Sequence, residues 1–138
     1  MKINEMVEEV HQVAKEHGWW EKPRAPLEIY ALIHSEISEA VEEARKGNPA
    51  VYVHNVDGTK AMVETIDSSS FFRFETDVPS GKSLVTPIKP EGELIEIADA
   101  VIRAMDYCGY KGWDLEKAIR AKHEYNKTRS YRHGNKLA

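Results

Sequence analysis

The most constraining feature of the sequence is a long apolar helix pattern in its C-terminal half. From about Glu91 or Glu93 to Tyr107, apolar residues recur at helical spacing: Leu94, Ile95, Ile97, Ala98, Val101, Ile102, Met105 and then Cys108. A helix that is apolar over so wide an arc has to be buried on more than one side. We therefore expect this third helix to lie in the core of a helical fold, ending before Gly109 and Gly112.

Three further segments have the spacing of amphipathic helices. The first runs from about Asn4 to His17, with Asn4 as N-cap and Gly18 as its stop. The second runs from about Pro26 to Lys46 and is ended by Gly47. The fourth begins at the N-cap Asp114 and runs to about Arg129.

Residues 50–90 change character between the second and third helices. Val51-Tyr52-Val53 and Ala61-Met62-Val63 flank Asp57-Gly58, which is a β-hairpin signal. The stretch 71–74 is a candidate for another short strand. Because about 40 residues seldom fold alone, we predict one all-α domain over residues 1–138: a four-helix bundle with a hairpin and loop insertion at about 50–90.

Composition excludes several classes of protein. A single cysteine, Cys108, excludes a disulfide framework. The net charge of −4 argues against a nucleic-acid binder. No apolar run approaches the roughly 18 residues of a membrane span, and the acidic N-terminus lacks the apolar region of a secretion signal. We expect a cytoplasmic protein that binds neither membrane nor nucleic acid.

Two pairs of carboxylates lie at i, i+3 spacing on neighbouring predicted helices. Glu36 and Glu39 lie on the second helix with Glu43 one turn further, within a stripe of about 60° that borders the apolar face. Glu96 and Asp99 lie on the third helix at the edge of its apolar arc. Like charges at this spacing repel each other. Solvated acidic faces are common, but a divalent cation such as Mg²⁺ or Mn²⁺ would convert the repulsion into binding.

Charge is unevenly distributed, since eight basic and only three acidic residues lie between Lys111 and the end. On the fourth helix Leu115, Ala118 and Ile119 define the core-facing side, and the same stripe continues through Lys122, Asn126 and Arg129. Cations at such positions pair with carboxylates or meet a ligand. One interpretation is a salt bridge to the carboxylates of helices two and three. The other is a phosphate site, for which arginine provides bidentate contacts.

The ordered set of motifs resembles the MazG-like all-α nucleoside triphosphate pyrophosphohydrolases. The resemblance rests on Ala31-Leu-Ile-His-Ser-Glu-Ile-Ser-Glu-Ala, Lys89-Pro-Glu-Gly-Glu-Leu-Ile-Glu-Ile-Ala-Asp-Ala-Val-Ile-Arg and Lys122-His-Glu-Tyr-Asn-Lys-Thr-Arg. It covers helices two to four and the tail, but not residues 50–88. Ser35 occupies a position where many members have a glutamate, which leaves the number of metal ions open.

The resemblance implies a function and a set of site residues. Glu36, Glu39, Glu96 and Asp99 would bind Mg²⁺, and Lys122, Asn126 and Arg129 would contact the triphosphate of an NTP or dNTP. Water would be activated by Glu36 or Glu39, and cleavage between the α- and β-phosphates would yield a nucleoside monophosphate and pyrophosphate. We add Trp20, Tyr131 and Arg132 as candidate substrate contacts, and we expect a homodimer or homotetramer.

Two other classes of function remain open at this stage. A di-iron or di-manganese carboxylate bundle uses Glu-x-x-His motifs on two helices, whereas this chain has one, Glu8-x-x-His11. A non-catalytic helical module would bind nucleotide, RNA or a protein partner through the basic tail, with salt-sensitive affinity that does not depend on Mg²⁺.

Overall fold

The structure is a computed structural model that describes residues 2–75, 79, 81 and 84–129. In these residues the chain forms four helices, with two small β-hairpins between the second and the third. The helices are α1 (Ile3–Glu16), α2 (Pro26–Lys46), α3 (Glu93–Lys111) and α4 (Leu115–Lys127). The mostly helical architecture with a β insertion is confirmed.

Both hairpins are antiparallel and short. The first pairs β1 (Tyr52–His54) with β2 (Lys60–Met62), and Gly58 takes a φ of +87° in the turn that the Asp-Gly signal predicted. The second pairs β3 (Phe72–Glu75) with β4 (Leu84–Pro87). The observed strands are displaced by one residue from the predicted ones. Val51, which precedes β1, is only 4% exposed.

The chain divides into two compact units, and the single-domain interpretation stays a prediction. One unit comprises residues 1–29 and 102–138, and the other comprises residues 30–101. In the first, α1 packs against α4 and against the C-terminal part of α3. In the second, α2 packs against the N-terminal part of α3. The buried apolar residues are Val7, Ile29 and Tyr107 in the first unit and Ala40, Val51, Tyr52 and Ala100 in the second.

The prediction that α3 ends at Tyr107 is wrong, since the helix continues through Gly109 to Lys111. A Cβ atom on Gly109 would lie 2.6 Å from the Cβ of His11. Gly109 therefore lets α1 approach α3 closely, and Gly112, with a φ of +69°, follows the last helical residue.

The predicted N-cap of α1 is also wrong, because Lys2 precedes the helix and Asn4 lies inside it. Asn4 instead serves the start of α4: its amide donates to Asp114 Oδ1 at 2.8 Å, and its oxygen accepts from the backbone N–H of Glu116 at 3.1 Å. Glu116 Oε1 in turn accepts from the backbone N–H of Ile3 at 2.9 Å. The two helix starts cap each other, whereas Asp114 caps α4 as predicted.

Many apolar residues that we expected in the core are exposed in the single chain. Leu94, Ile97 and Val101 of α3 are 45%, 43% and 46% exposed, so the prediction of burial on several sides is wrong for one chain. Ala118 and Ile119 of α4 are likewise exposed. These residues were predicted from periodicity, which reports an apolar face but not what covers it. None of the helices in the described part is both long and apolar enough to cross a membrane.

The reciprocal capping of α1 and α4 predicts that Asn4→Ala lowers the free energy of unfolding by about 1–2 kcal/mol, because an N-terminal amide of α4 loses its acceptor. Urea denaturation measures the change. Gln12→Ala is the control, since the exposed Gln12 donates to Glu16 within α1. Equal stabilities for the two variants would show that the shared cap contributes nothing.

Candidate metal centre

Three carboxylates from two helices converge in the unit formed by residues 30–101. Glu36 and Glu39 lie one turn apart on α2, and Glu96 lies in the first turn of α3. One carboxylate oxygen of each lies within 4.8 Å of those of the other two. We call these three residues the acidic cluster. The two predicted ligands on α2, Glu36 and Glu39, thus lie close to Glu96, the first predicted ligand on α3.

Burial makes the acidic cluster unusual among surface carboxylates. Glu36 is only 8% exposed, and the Oε2 atom of Glu96 is buried without a hydrogen-bond partner among the described residues. Burial raises the pKa of Glu96 to about 8, with further upward contributions from hydrogen bonding to Glu39 and Glu36 and from the charges of Glu39 and Asp99. In the metal-free protein the cluster therefore retains a proton near neutral pH.

Asp99 lies outside the three-residue cluster but acts on it electrostatically. It follows Glu96 by three residues on α3, is partly buried, and its negative charge contributes to the raised pKa of Glu96. Its assignment as a fourth metal ligand stays a prediction.

Two acidic residues near the predicted pairs have other partners. Asp106 accepts hydrogen bonds from the indole N–H of Trp20 and lies 2.8 Å from His11 Nδ1. Glu43 accepts from the hydroxyl of Tyr52 at 2.9 Å and from the amide of Asn48 at 2.8 Å. Asp106 lies on α3 with Glu96 and Asp99, and Glu43 lies on α2 with Glu36 and Glu39. Each accepts a hydrogen bond from a side chain of another segment.

The contacts of Glu43 form a compact polar network in the same unit. Lys60 Nζ donates to Asn48 Oδ1 at 2.6 Å and lies 5.4 Å from the centre of the Tyr52 ring. The hydrogen bond from Asn48, with that from Tyr52 and the nearby lysines, lowers the pKa of Glu43. Burial and the Glu43 carboxylate raise the pKa of Tyr52 to about 12. Glu43 thus remains ionised and Tyr52 neutral at physiological pH.

The predicted phosphate-binding residues lie on or just after α4, in the unit that contains residues 1–29 and 102–138. Lys122 and Asn126 are exposed, and Arg129 follows the helix. Lys122 Nζ and Arg129 Cζ lie 4.9 Å and 5.9 Å from the centre of the exposed Tyr125 ring. Their binding of phosphate stays a prediction. Tyr131 and Arg132, the other predicted contacts beyond α4, lie outside the described residues.

Trp20 lies in an aromatic cluster of the same unit. Its ring is stacked on that of Tyr110, with centroids 4.0 Å apart and planes at 8°, and the edge of His11 approaches both rings. One face of the indole and its N–H are therefore engaged within the protein. The predicted contact of Trp20 with a substrate base stays a prediction, and it would have to use the other face of the indole ring.

The donor set of the acidic cluster matches a hard divalent cation. Carboxylate oxygens are the ligands that Mg²⁺ and Mn²⁺ prefer, and an unpartnered Oε2 atom has a coordination position to offer. The cluster contains no histidine, and His11, the histidine of the one Glu-x-x-His motif, is bound to Asp106. The donor set thus favours Mg²⁺ or Mn²⁺ over the di-iron type of site.

Sequence reasoning missed the residues that act between elements. The sequence patterns place Tyr52 in a predicted strand and His11 in a Glu-x-x-His motif, but they do not predict the hydrogen-bond partners of either side chain. Helical spacing reports which residues share a face, but a tyrosine that reaches a glutamate from a different element leaves no periodic signal. Tyr125 was detectable, because it lies three residues after Lys122 and four before Arg129 on a helix.

Comparisons of this chain with models of protein families, with curated proteins and with solved structures found no match.

The raised pKa of Glu96 predicts how the stability of the metal-free protein depends on pH. Because the folded state holds this proton up to about pH 8 and the unfolded state releases it near pH 4.3, the free energy of unfolding should fall as pH rises between those values. Glu96→Gln removes this dependence, so the variant should gain stability over wild type as pH rises.

Urea denaturation in EDTA at pH 5, 6.5 and 8 measures the effect. The control is Glu42→Gln, which alters an exposed α2 carboxylate paired with Arg45. A constant difference in stability between Glu96→Gln and wild type at all three pH values would contradict the raised pKa.

Proposed function

We propose that this protein is a Mg²⁺-dependent nucleoside triphosphate pyrophosphohydrolase built as a MazG-like four-helix bundle. The observation that carries the proposal is the acidic cluster, in which Glu36, Glu39 and Glu96 offer oxygens within 4.8 Å of one another. Their order along the chain, followed by Lys122, Asn126 and Arg129, is the order of the motifs that resemble that family. A cytoplasmic location accords with the single, partly buried Cys108.

In this proposal Glu36, Glu39 and Glu96 hold the metal, with Asp99 completing the set. Mg²⁺ bound there would neutralise phosphate charge and acidify water. The carboxylates differ in exposure: Glu39 is exposed and accessible to substrate, whereas Glu36 is only 8% exposed.

The proposed reaction adds the oxygen of water to the α-phosphorus of an NTP or dNTP. The bond between the α-phosphorus and the oxygen that bridges to the β-phosphate breaks, giving a nucleoside monophosphate and pyrophosphate. Glu36 or Glu39 accepts the proton of the attacking water. Lys122, Asn126 and Arg129 bind the outgoing phosphates, for which a guanidinium and an ammonium provide charge-assisted hydrogen bonds.

The partner that we propose is a second copy of the chain. The unit of residues 30–101 carries an open apolar groove of about 530 Å³ between α2 and α3, lined by Ile37, Ala40, Val41, Ala44, Ile97, Arg45 and Glu93. Exposed apolar surface of this kind is typically covered by another subunit. The groove carries both a cation, Arg45, and a carboxylate, Glu93, so a two-fold interface would present opposite charges from each copy to the other. We propose a homodimer, or a homotetramer built from it.

Product analysis tests the proposed reaction. On a panel of NTPs and dNTPs we expect nucleoside monophosphate and pyrophosphate in Mg²⁺ and no turnover in EDTA. Glu39→Gln and Asp99→Asn should each lower kcat by roughly 100-fold or more, because each removes a charged group at the reacting phosphate. Glu42→Gln, on the same helix, should leave the rate near that of wild type.

Two outcomes would contradict the proposal. Release of orthophosphate would mean that a different phosphoanhydride bond is attacked. Full activity in both Glu39→Gln and Asp99→Asn would remove these carboxylates from the site.

The oligomer has its own test, which uses no substrate. Val41→Glu places a charge in the apolar groove, so it should convert the oligomer to monomer at micromolar concentration, as measured by size-exclusion chromatography with light scattering. Val56→Glu is the matched control, because Val56 is 86% exposed in the β1–β2 turn. A wild-type monomer, or an unaltered mass for Val41→Glu, would contradict the proposed interface.

A further inference from the structure

Residues 50–52, which precede and begin β1, tie the start of α3 in place through the backbone. Tyr52 and Glu91 exchange two backbone hydrogen bonds of 2.9 Å, and the N–H of Leu94 donates to the carbonyl of Ala50 at 3.0 Å. A Cβ atom on Gly92 would lie 2.2 Å from that carbonyl oxygen, so only glycine permits this approach. We call residues 50–52 the clamp.

The side chain of Tyr52 ties the same clamp to α2. Tyr52 is only 2% exposed, and its hydroxyl donates to the carboxylate of Glu43, with O–O distances of 2.9 and 3.0 Å. Asn48, just beyond α2, holds the same carboxylate at 2.8 Å. One buried residue therefore binds the segment just before α3 with its backbone and α2 with its side chain.

Both attachments lie one helical turn from the acidic cluster. Glu43 follows Glu39 by four residues on α2. On α3, the N–H of Glu96 donates to the carbonyl of Gly92 at 3.1 Å, and Gly92 is pressed against the clamp. A single turn of helix is stiff, because its backbone hydrogen bonds fix the rise between residues. A displacement at either attachment is therefore transmitted to the carboxylates.

We propose that Tyr52 is a positioning residue that sets the separation between the carboxylates of α2 and Glu96, and through it the affinity for the divalent cation. The inference rests on the metal site of the proposed function. Residues that hydrogen-bond to metal ligands typically change metal affinity by about 10- to 100-fold when they are replaced, since ligands must be held to within about 0.5 Å. Tyr52 acts one helical turn away from the ligands, so we expect an effect at the lower end of that range.

The first experiment compares Tyr52→Phe with wild type. The variant keeps the buried ring and loses only the hydroxyl that reaches Glu43. We expect Mn²⁺ affinity, measured by electron paramagnetic resonance at pH 8, to fall by about 10-fold, while circular dichroism remains that of the folded protein. In the metal-free variant, the amides of Glu91 and Leu94 should exchange with solvent faster than in wild type.

Asn55→Ala is the control for general loosening of the hairpin. Asn55 bonds to Thr59 at the turn of the β1–β2 hairpin, away from the clamp. It should leave Mn²⁺ affinity unchanged. Equal loss of affinity in Asn55→Ala and Tyr52→Phe would overturn the positioning role, because hairpin stability alone would then explain the effect.

A second pair of variants separates position from charge. Glu43→Gln and Glu43→Ala remove the same negative charge, but only glutamine retains an oxygen that accepts from Tyr52. We expect Glu43→Gln to bind Mn²⁺ several-fold more tightly than Glu43→Ala. Equal affinities would overturn the inference, even if Tyr52→Phe failed to fold.

The outcomes also separate this inference from the metal site itself. If wild type shows no Mn²⁺ binding that Glu39→Gln removes, both the metal site and the positioning role are overturned. If wild type binds Mn²⁺ and Tyr52→Phe binds it equally well, only the positioning role is overturned.

Discussion

Repulsion among three carboxylates, of which Glu36 is buried, Glu96 half-buried and Glu39 exposed, is the interaction on which the rest of this structure depends. Glu36, Glu39 and Glu96 bring like charges within 4.8 Å, and Glu36 is almost entirely enclosed. An ionised cluster of this kind destabilises the fold unless protons or cations compensate it. Burial and the neighbouring carboxylates raise the pKa of Glu96 to about 8, so a proton on Glu96 compensates the cluster near neutral pH when no metal is bound. A divalent cation would replace that proton, so metal affinity should increase as pH rises toward 8.

The surrounding structure holds the two helices together against this repulsion. Tyr52 bonds to Glu43 of α2 with its hydroxyl and to Glu91, just before α3, with its backbone. Ala40 of α2 and Ala100 of α3 are both buried. The β insertion, which the resemblance to MazG-like enzymes did not cover, therefore begins with a segment that braces the candidate metal centre.

Helical periodicity was sufficient to predict the four helices, and it placed Glu36, Glu39 and Glu96 on the two helices whose carboxylates converge in the structure. The bounds of α2, the N-cap Asp114 and the Asp57-Gly58 turn follow from local rules that act within a few residues. Asn4 and Gly109 were misread because their roles are tertiary: Asn4 caps a helix more than 100 residues away in the sequence, and Gly109 makes room for α1. The hydrogen bonds of Tyr52 to Glu43 and of Trp20 to Asp106 were not predicted for the same reason. The exposed residues of α3 and α4 show that an apolar pattern predicts an apolar face but not what covers it.

The central claim is that Glu36, Glu39 and Glu96 together hold a divalent cation. Anomalous diffraction from crystals grown with Mn²⁺ tests it most directly, since it locates the metal without reference to any activity. We expect an anomalous peak about 2.1 Å from oxygens of these three residues, a distance typical of Mg²⁺-type sites. A fully ordered cluster with no peak at Mn²⁺ concentrations in the millimolar range, or a peak held by other residues, would contradict it.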